Sequence, residues 1–200
     1  MEKVLIATTN AGKVAIYKEV FNKLGIEVLS LKDFNITTAP EENGKDVIEN
    51  AVIKAKYYYE ITKIPVLAND SGLKIHKFSE EDQPGLFVRR NNNKELTDNA
   101  MIKIYIEKLN KVGGSSPAHY DVGLAIITAD GKLHTKLFKP KRFFINKASP
   151  VVQKGIPLSS LAYDKVSKKY MSEMTYSERN EYEGKEFKKQ AEFITKLFTK

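Results

Sequence analysis

The chain has 200 residues, 42% of them hydrophobic and 29% charged, with a net charge of +8. Such a composition supports a real interior and excludes a chain disordered throughout. The absence of cysteine excludes a disulfide framework, a thiolate-bound zinc and a thiol nucleophile. No apolar run approaches the ~20 residues that cross a bilayer, and the short apolar run in MEKVLIATTN does not make a secretory leader. The expectation is therefore a cytoplasmic protein. Three scattered histidines, His76, His119 and His134, argue against a His-rich metal site, and the serine-hydrolase elbow GxSxG does not occur.

In chain order, residues 4–8 read as a buried strand. Asn10 precedes a helical stripe of Val14, Tyr17, Val20, Phe21 and Leu24 that ends at Gly25, and residues 26–31 read as a second strand. This β-α-β opening points to an α/β fold. Residues 46–62 carry Val47, Ala51, Ala55, Tyr58 and Ile61 at helical spacing, and Pro65 bars continuation. Residues 66–68 and 73–76 read as strands separated by a turn at Asn69-Asp70-Ser71-Gly72. Thr97 caps a helix to about residue 109, and residues 113–116 read as a loop. Strands at 120–128 and 132–144 flank Ala129-Asp130-Gly131, a hairpin signal. A last helix is placed at about 185–198. No repeat or linker divides the chain, so residues 1–200 read as one domain.

Three constellations offer chemistry. Thr8, Thr9, Asn10 and Lys13 lie where a strand turns into a helix, a place that suits either a structural cap or a bound anion. Glu41-Glu42-Asn43-Gly44 precedes Asp46, a natural cap, and Lys54. Glu49 and Lys54 are five residues apart and do not form a standard helical pair. Asp70 ends an apolar strand, either in an Asx-turn or as an oxygen ligand for Mg²⁺ or a base toward water. Phosphoanhydride hydrolysis uses such parts: lysines against phosphate charge, carboxylates for magnesium, and a carboxylate to position water. Charge is uneven as well. Residues 131–163 contain no acid but hold Lys132, Lys136, Lys139, Lys141, Arg142, Lys147 and Lys154, which fits a solvated face or a field that draws in a polyanion.

The order of these motifs resembles the inosine triphosphate pyrophosphatase family, the Ham1-like enzymes that act on non-standard purine nucleotides. ATTNAGK matches (S/T)xNxxK, and ENGKDVIENAVIKA matches ExGxTFxENAxxKA. ANDSGL matches DDSGL, PGLFVRR matches PGxYSAR, and SEMTYSERN matches AExxxxEKN. The resemblance implies an elongated mixed central β-sheet flanked by helices, with two lobes around a deep cleft, in a homodimer. It implies Mg²⁺-dependent hydrolysis of a nucleoside triphosphate (ITP, dITP or XTP) to monophosphate and pyrophosphate, with neither membrane nor nucleic acid as partner. By position, Thr8, Thr9, Asn10, Lys13 and Lys54 would hold phosphates. Glu42 and Asp70 would bind the metal, with Asp70 toward water and Ser71 beside it. Lys13, Glu42 and Asp70 form the catalytic set. Arg90, Tyr163, Asp164 and Arg179 would lie near the nucleotide.

The chain departs from the family pattern in three places. Asn69 replaces the first acid of DDSGL, removing a negative charge from beside the expected metal. Leu161 stands where FGYDP has its base-stacking Phe; it can cover a purine but has no ring to stack. Glu183-Gly184-Lys185 stands where the family has SHR, so an acceptor replaces donors. Glu183 then either meets an exocyclic amino group or faces solvent, with Lys185 beside it. The alternatives are the same chemistry on another base, a catalytically weakened nucleotide-binding homologue, or a nucleic-acid binder served by the lysine-rich region.

Overall fold

The computed structural model describes residues 2–91 and 94–199. The elements in order are β1 (Lys3–Ile6), α1 (Ala11–Lys23), β2 (Glu27–Ser30), α2 (Val47–Thr62), β3 (Val66–Ile75), the two-residue strands β4 (Arg90–Asn91) and β5 (Lys94–Glu95), α3 (Asp98–Lys111), β6 (Ser115–Ile127), β7 (Leu133–Phe138), β8 (Lys141–Ile145), the short pair β9 (Tyr163–Asp164) and β10 (Lys169–Tyr170), and α4 (Tyr176–Phe198). The result is a mixed α/β fold whose chain divides into two compact units.

The first unit comprises residues 1–71, 122–138 and 189–200. β1 pairs in parallel with β2, Lys3 opposite Glu27, and with β3, Leu5 opposite Val66. The end of β6 pairs antiparallel with β7, Ile127 opposite Leu133. Helix α2 lays Ala51, Ala55 and Tyr58 on Leu5, Ala7, Val66, Ala68, Ala125 and Ile127. Val4 and Ile6, equally buried, alternate to the other face of β1. Gly123 lets α2 come close, because a Cβ there would stand 2.5 Å from the Val47 carbonyl oxygen. Helix α1 buries Tyr17, Val20 and Phe21, and Phe21 meets Phe198 of α4 edge to face at 5.1 Å.

The second unit comprises residues 72–121 and 139–188. Its core joins Leu73 and Ile75, Met101, Tyr105 and Leu109 of α3, Phe144 of β8, and Leu158, Leu161, Met171 and Met174. The start of β6 pairs antiparallel with β8, Ser115 opposite Ile145.

Four boundaries differ from the sequence reading, each for a local reason. β3 runs unbroken through Asn69-Asp70-Ser71-Gly72 in place of a turn. Gly72 permits this, since a Cβ there would lie 3.0 Å from the Gly85 carbonyl oxygen. The predicted strand 132–144 is two strands interrupted at Pro140, which has no N–H for a ladder. The predicted loop at 113–116 shrinks to Gly113 and Gly114, both in the left-handed region. Finally, α4 begins nine residues early, at Tyr176. Thr175 and Glu178 exchange hydrogen bonds there: the Glu178 N–H donates to Thr175 Oγ1 (3.3 Å), and the Thr175 N–H to Glu178 Oε2 (2.9 Å). This is a T-x-x-E capping box.

Candidate active site

The site is assembled in the first unit, from residues that follow the carboxyl ends of β1 and of the parallel part of β3. Past β1, Thr8 Oγ1 accepts the Asn10 N–H at 3.1 Å. Asn10 Oδ1 in turn accepts the N–H groups of Gly12 (2.9 Å) and Lys13 (3.3 Å). Asn10 is thus the N-cap of α1. Two of the N–H groups that an anion could use therefore already have a protein acceptor. What α1 still offers an anion is its dipole, undiminished by any acid in the first turn; Lys13 is half-buried. Thr9 is exposed.

Asp70, Lys54 and Glu42 come together from three elements. Lys54 Nζ donates to Glu42 Oε2 at 2.7 Å and to Asp70 Oδ1 at 3.1 Å. The lysine and Asp70 side chains are only 11% and 15% exposed, whereas Glu42 is open at 42%. Asn50, one turn before Lys54 on the same face of α2, is buried and works in both directions. Its Nδ2 donates to Asp70 Oδ2 (3.2 Å), and its Oδ1 accepts the Gly44 N–H (2.8 Å). One amide therefore ties the loop that bears Glu42 to the strand that bears Asp70. Gly44 is required for that approach: a Cβ there would be 2.7 Å from Asn50 Oδ1 and from Glu49 Cβ. Asp46 caps α2 by accepting from Ile48 (2.8 Å) and Glu49 (2.9 Å). Glu49 turns back to accept the Lys45 N–H (2.8 Å), so it and Lys54 are indeed no pair. Further up the loop, Tyr57 Oη donates to Thr38 Oγ1 (2.8 Å) and Tyr58 Oη to the Thr38 carbonyl (3.3 Å). Burial, with Tyr57 and Glu42 nearby, pushes the Tyr58 phenol above its ordinary range and keeps it a donor.

Strand alternation sets Asn69 and Asp70 on opposite sides of β3. Val66 and Ala68 of β3 face α2, so Asp70 faces α2 too, while Asn69 and Ser71 point to the opposite side. The substitution at 69 leaves the pair facing Lys54 intact. Asn69 itself is buried, and its Oδ1 accepts no hydrogen bond.

Glu42 and Asp70 share one ammonium, so their oxygens already face a common cation position. Among the described residues no group of three or more His, Cys, Asp or Glu converges on a metal. Two carboxylates suit a hard ion such as Mg²⁺, which keeps water and takes phosphate oxygens as its other ligands.

The remaining candidates lie in the second unit. Leu161 is fully buried in the core. Tyr163 meets Tyr170 edge to face at 5.2 Å. Asp164 accepts from the Val166 (3.1 Å) and Ser167 (2.9 Å) N–H groups. Burial raises its pKa, but these bonds and that of the Ser167 side chain outweigh it and hold the carboxyl below the ordinary range. Arg179 Nη2 donates to Gln153 Oε1 (3.0 Å) and to the Met171 carbonyl (3.2 Å), while its Nε is buried without a partner. Arg90 is exposed, its guanidinium 6.0 Å from the Phe87 ring. Glu183 and Lys185 fall within α4, and their side chains lie outside the described residues. Much of the lysine-rich stretch has close neighbours. Lys132 pairs with Asp130 (2.8 Å) and Lys139 with Asp121 (3.3 Å), and Arg142 lies 5.9 Å from each of the Tyr120 and Tyr182 rings.

Two positions that join the cluster, Asn50 and Gly44, carry no assigned role in the sequence alone. The signal for them was their spacing, a Gly six residues before an Asn that itself precedes Lys54 by one helical turn.

Fold and site together define an α/β protein with an acid–lysine–acid cluster at the carboxyl ends of parallel strands, the usual ligand position in an open sheet. The chain belongs to the Ham1 family, whose model matches residues 4–140. A dITP/XTP pyrophosphatase of Thermus thermophilus is 30% identical over 181 residues, covering 90% of this chain and 84% of that protein. The dITP/XTP pyrophosphatase of Leptospira interrogans is 34% identical over 125 residues. That match spans a little under two thirds of the relative's length, 62% of each chain. Among solved structures, a HAM1 protein from Coxiella burnetii superposes with TM-score 0.72 at 23% identity, covering 98% of this chain and all of that one. The Staphylococcus aureus Ham1 protein gives 0.70 at 20%, covering 98% and 99%. At that identity the likeness is one of fold, a central mixed sheet flanked by helices. No helix among the described residues is long and apolar enough to cross a membrane.

Proposed function

We propose that the protein is a nucleoside triphosphate pyrophosphohydrolase: NTP and water give NMP and pyrophosphate. The observation that carries this reading is the Lys54 ammonium lodged between Glu42 and Asp70 at 2.7 and 3.1 Å. An acid pair that holds a cation suits a polyphosphate that arrives with its own divalent ion. The dITP/XTP pyrophosphatase activity of the two relatives points the same way.

In this mechanism Glu42 and Asp70 would hold Mg²⁺, which would supply charge neutralisation on the phosphates. Lys13 and the amino end of α1 attract the triphosphate. Lys54, now held by the two carboxylates, would give its ammonium to the phosphate oxygens. Asp70 orients water and accepts its proton as oxygen adds to phosphorus; the bridging oxygen leaves with pyrophosphate and bears the displaced charge. Asn50 acts as a positioning residue, keeping the Glu42 loop within reach of Asp70.

Non-standard purine triphosphates (ITP, dITP and XTP) are the proposed substrates, in a cytoplasmic homodimeric enzyme acting as one domain of residues 1–200. The base end diverges at Leu161, Glu183 and Lys185, and so keeps a second reading open: the same hydrolysis with an amino-bearing base. Pyrophosphate release from a panel of NTPs and dNTPs with Mg²⁺ tests both. Turnover led by ITP, dITP or XTP supports the first, and preference for an adenine or other amino-bearing nucleotide supports the second. No turnover of any nucleotide overturns the enzyme reading in favour of a binding homologue.

A further inference from the structure

Two of the three histidines, 43 residues apart in sequence, meet in the second unit. His76 follows β3 directly and His119 lies in β6. The His76 N–H donates to the Pro117 carbonyl at 3.0 Å, which fixes the two segments side by side. Their rings stand nearly edge to face, with centroids 5.2 Å apart, and His76 Nε2 lies 3.0 Å from His119 Nδ1. On the far side of the His119 ring, Nε2 faces Asp121 Oδ1 at 4.0 Å. The same oxygen lies 3.3 Å from the Lys139 ammonium. A carboxylate so placed favours the tautomer with its proton on Nε2, which turns the Nδ1 lone pair toward His76.

We propose that His76 Nε2 and His119 Nδ1 form a chelating site for a borderline divalent transition-metal ion of the Cu²⁺, Ni²⁺ or Zn²⁺ type, with Asp121 as its outer carboxylate. Imidazole nitrogens bind such ions at about 2.0–2.1 Å. Two of them at a right angle around one ion are then about 3.0 Å apart, the spacing already present. Without an ion, His76 donates from Nε2 into the His119 lone pair. With one, His76 carries its proton on Nδ1 and both lone pairs turn to the metal. Asp121 behind His119 repeats the carboxylate–histidine–metal arrangement that orients a ring and raises its basicity. Burial keeps His119 below its ordinary pKa; Asp121 opposes this, and His76, Lys139 and Lys74 reinforce it. The two lysines repel a cation, but each has a counter-ion: Lys139 pairs with Asp121 (3.3 Å) and Lys74 with Glu80 (3.2 Å). His76 is exposed, so an ion reaches the pair from solution and completes its shell with water. An all-nitrogen donor pair does not suit Mg²⁺, which separates this site from the proposed catalytic one.

The test is calorimetric titration of the full chain with Cu²⁺ and with Ni²⁺, in excess Mg²⁺, for the wild type, His76→Asn, His119→Asn and His134→Asn. One ion per chain is expected for the wild type and for His134→Asn, with binding weakened at least about tenfold in either of the other variants. Cu²⁺ should also selectively broaden the ring proton resonances of two of the three histidines in the wild type, a readout that needs no variant to fold. Absence of binding by the wild type overturns the site. So do equal affinities for the wild type and the His76 and His119 variants, or broadening that reaches His134 equally.

Discussion

The polar cluster of the first unit and the matching residues of the second differ in how they are held. Around Asp70, acid, amide and ammonium come from a strand, a helix and a loop, and they face one another across gaps of 2.7–3.2 Å. In the second unit, Asp164 closes a turn, Leu161 fills the core and Arg179 braces Gln153 and Met171. The first cluster has no packing role that would explain burying Lys54 and Asp70 so far, since apolar residues of like volume would serve stability as well. The second set is held by local structure.

That contrast can be broken by substitution. Asp70→Asn should have the largest effect, lowering kcat about 10²–10⁴-fold with little loss of folded protein, read as pyrophosphate release beside a thermal melt. Leu161→Ala should do the reverse, costing about 2–5 kcal/mol of stability in denaturant unfolding. Loss of turnover in that variant without loss of stability would show that Leu161 serves substrate rather than core. Asn50→Ala removes both ties of the positioning amide. It should raise the Mg²⁺ concentration for half-maximal activity about 10–100-fold, an effect that a purely structural role would not produce.

The smallest effect is expected at Asp98. Arg89 Nη1 donates to its Oδ1 (2.7 Å) and the Gly155 N–H to its Oδ2 (2.9 Å). Burial raises the Asp98 pKa, but the Gly155 and Arg89 contacts outweigh it and hold it below its ordinary value. A depressed carboxyl contributes stability above its unfolded pKa of about 3.9 and loses it as pH falls through the folded value. Asp98→Asn should therefore destabilise the chain at pH 7 by about 1 kcal/mol, and the gap to wild type should close in acid below about pH 4. A gap that widens in acid would contradict the assignment.

The parts of the fold written in side-chain periodicity were legible. The Asn10 and Asp46 caps, the α2 stripe and the apolar run of β1 each depend on neighbours within a few residues. What escaped depends on distant partners. Asn69-Asp70-Ser71-Gly72 has turn composition, yet Gly85, Asn50 and Lys54 hold it extended. Strand alternation, invisible while those residues were read as a turn, then separates Asn69 from Asp70. The early start of α4 was readable in Thr175-x-x-Glu178, a local signal outweighed by the stronger apolar spacing after residue 185. At the site, Glu42, Lys54 and Asp70 could be named from motif order. Asn50 could not, because its role appears only once loop and strand lie on either side of it. His76 and His119 likewise looked unrelated until two strands brought them together.

The cation position between Glu42 and Asp70 is the claim on which the mechanism stands. Its most direct test is Mn²⁺ binding by electron paramagnetic resonance, with ITP present, for wild type, Glu42→Gln and Asp70→Asn; Mn²⁺ prefers oxygen ligands over the histidine pair. One tightly bound ion in the wild type, weakened at least about tenfold in each variant, is the predicted result. Equal Mn²⁺ affinity in all three proteins would contradict it.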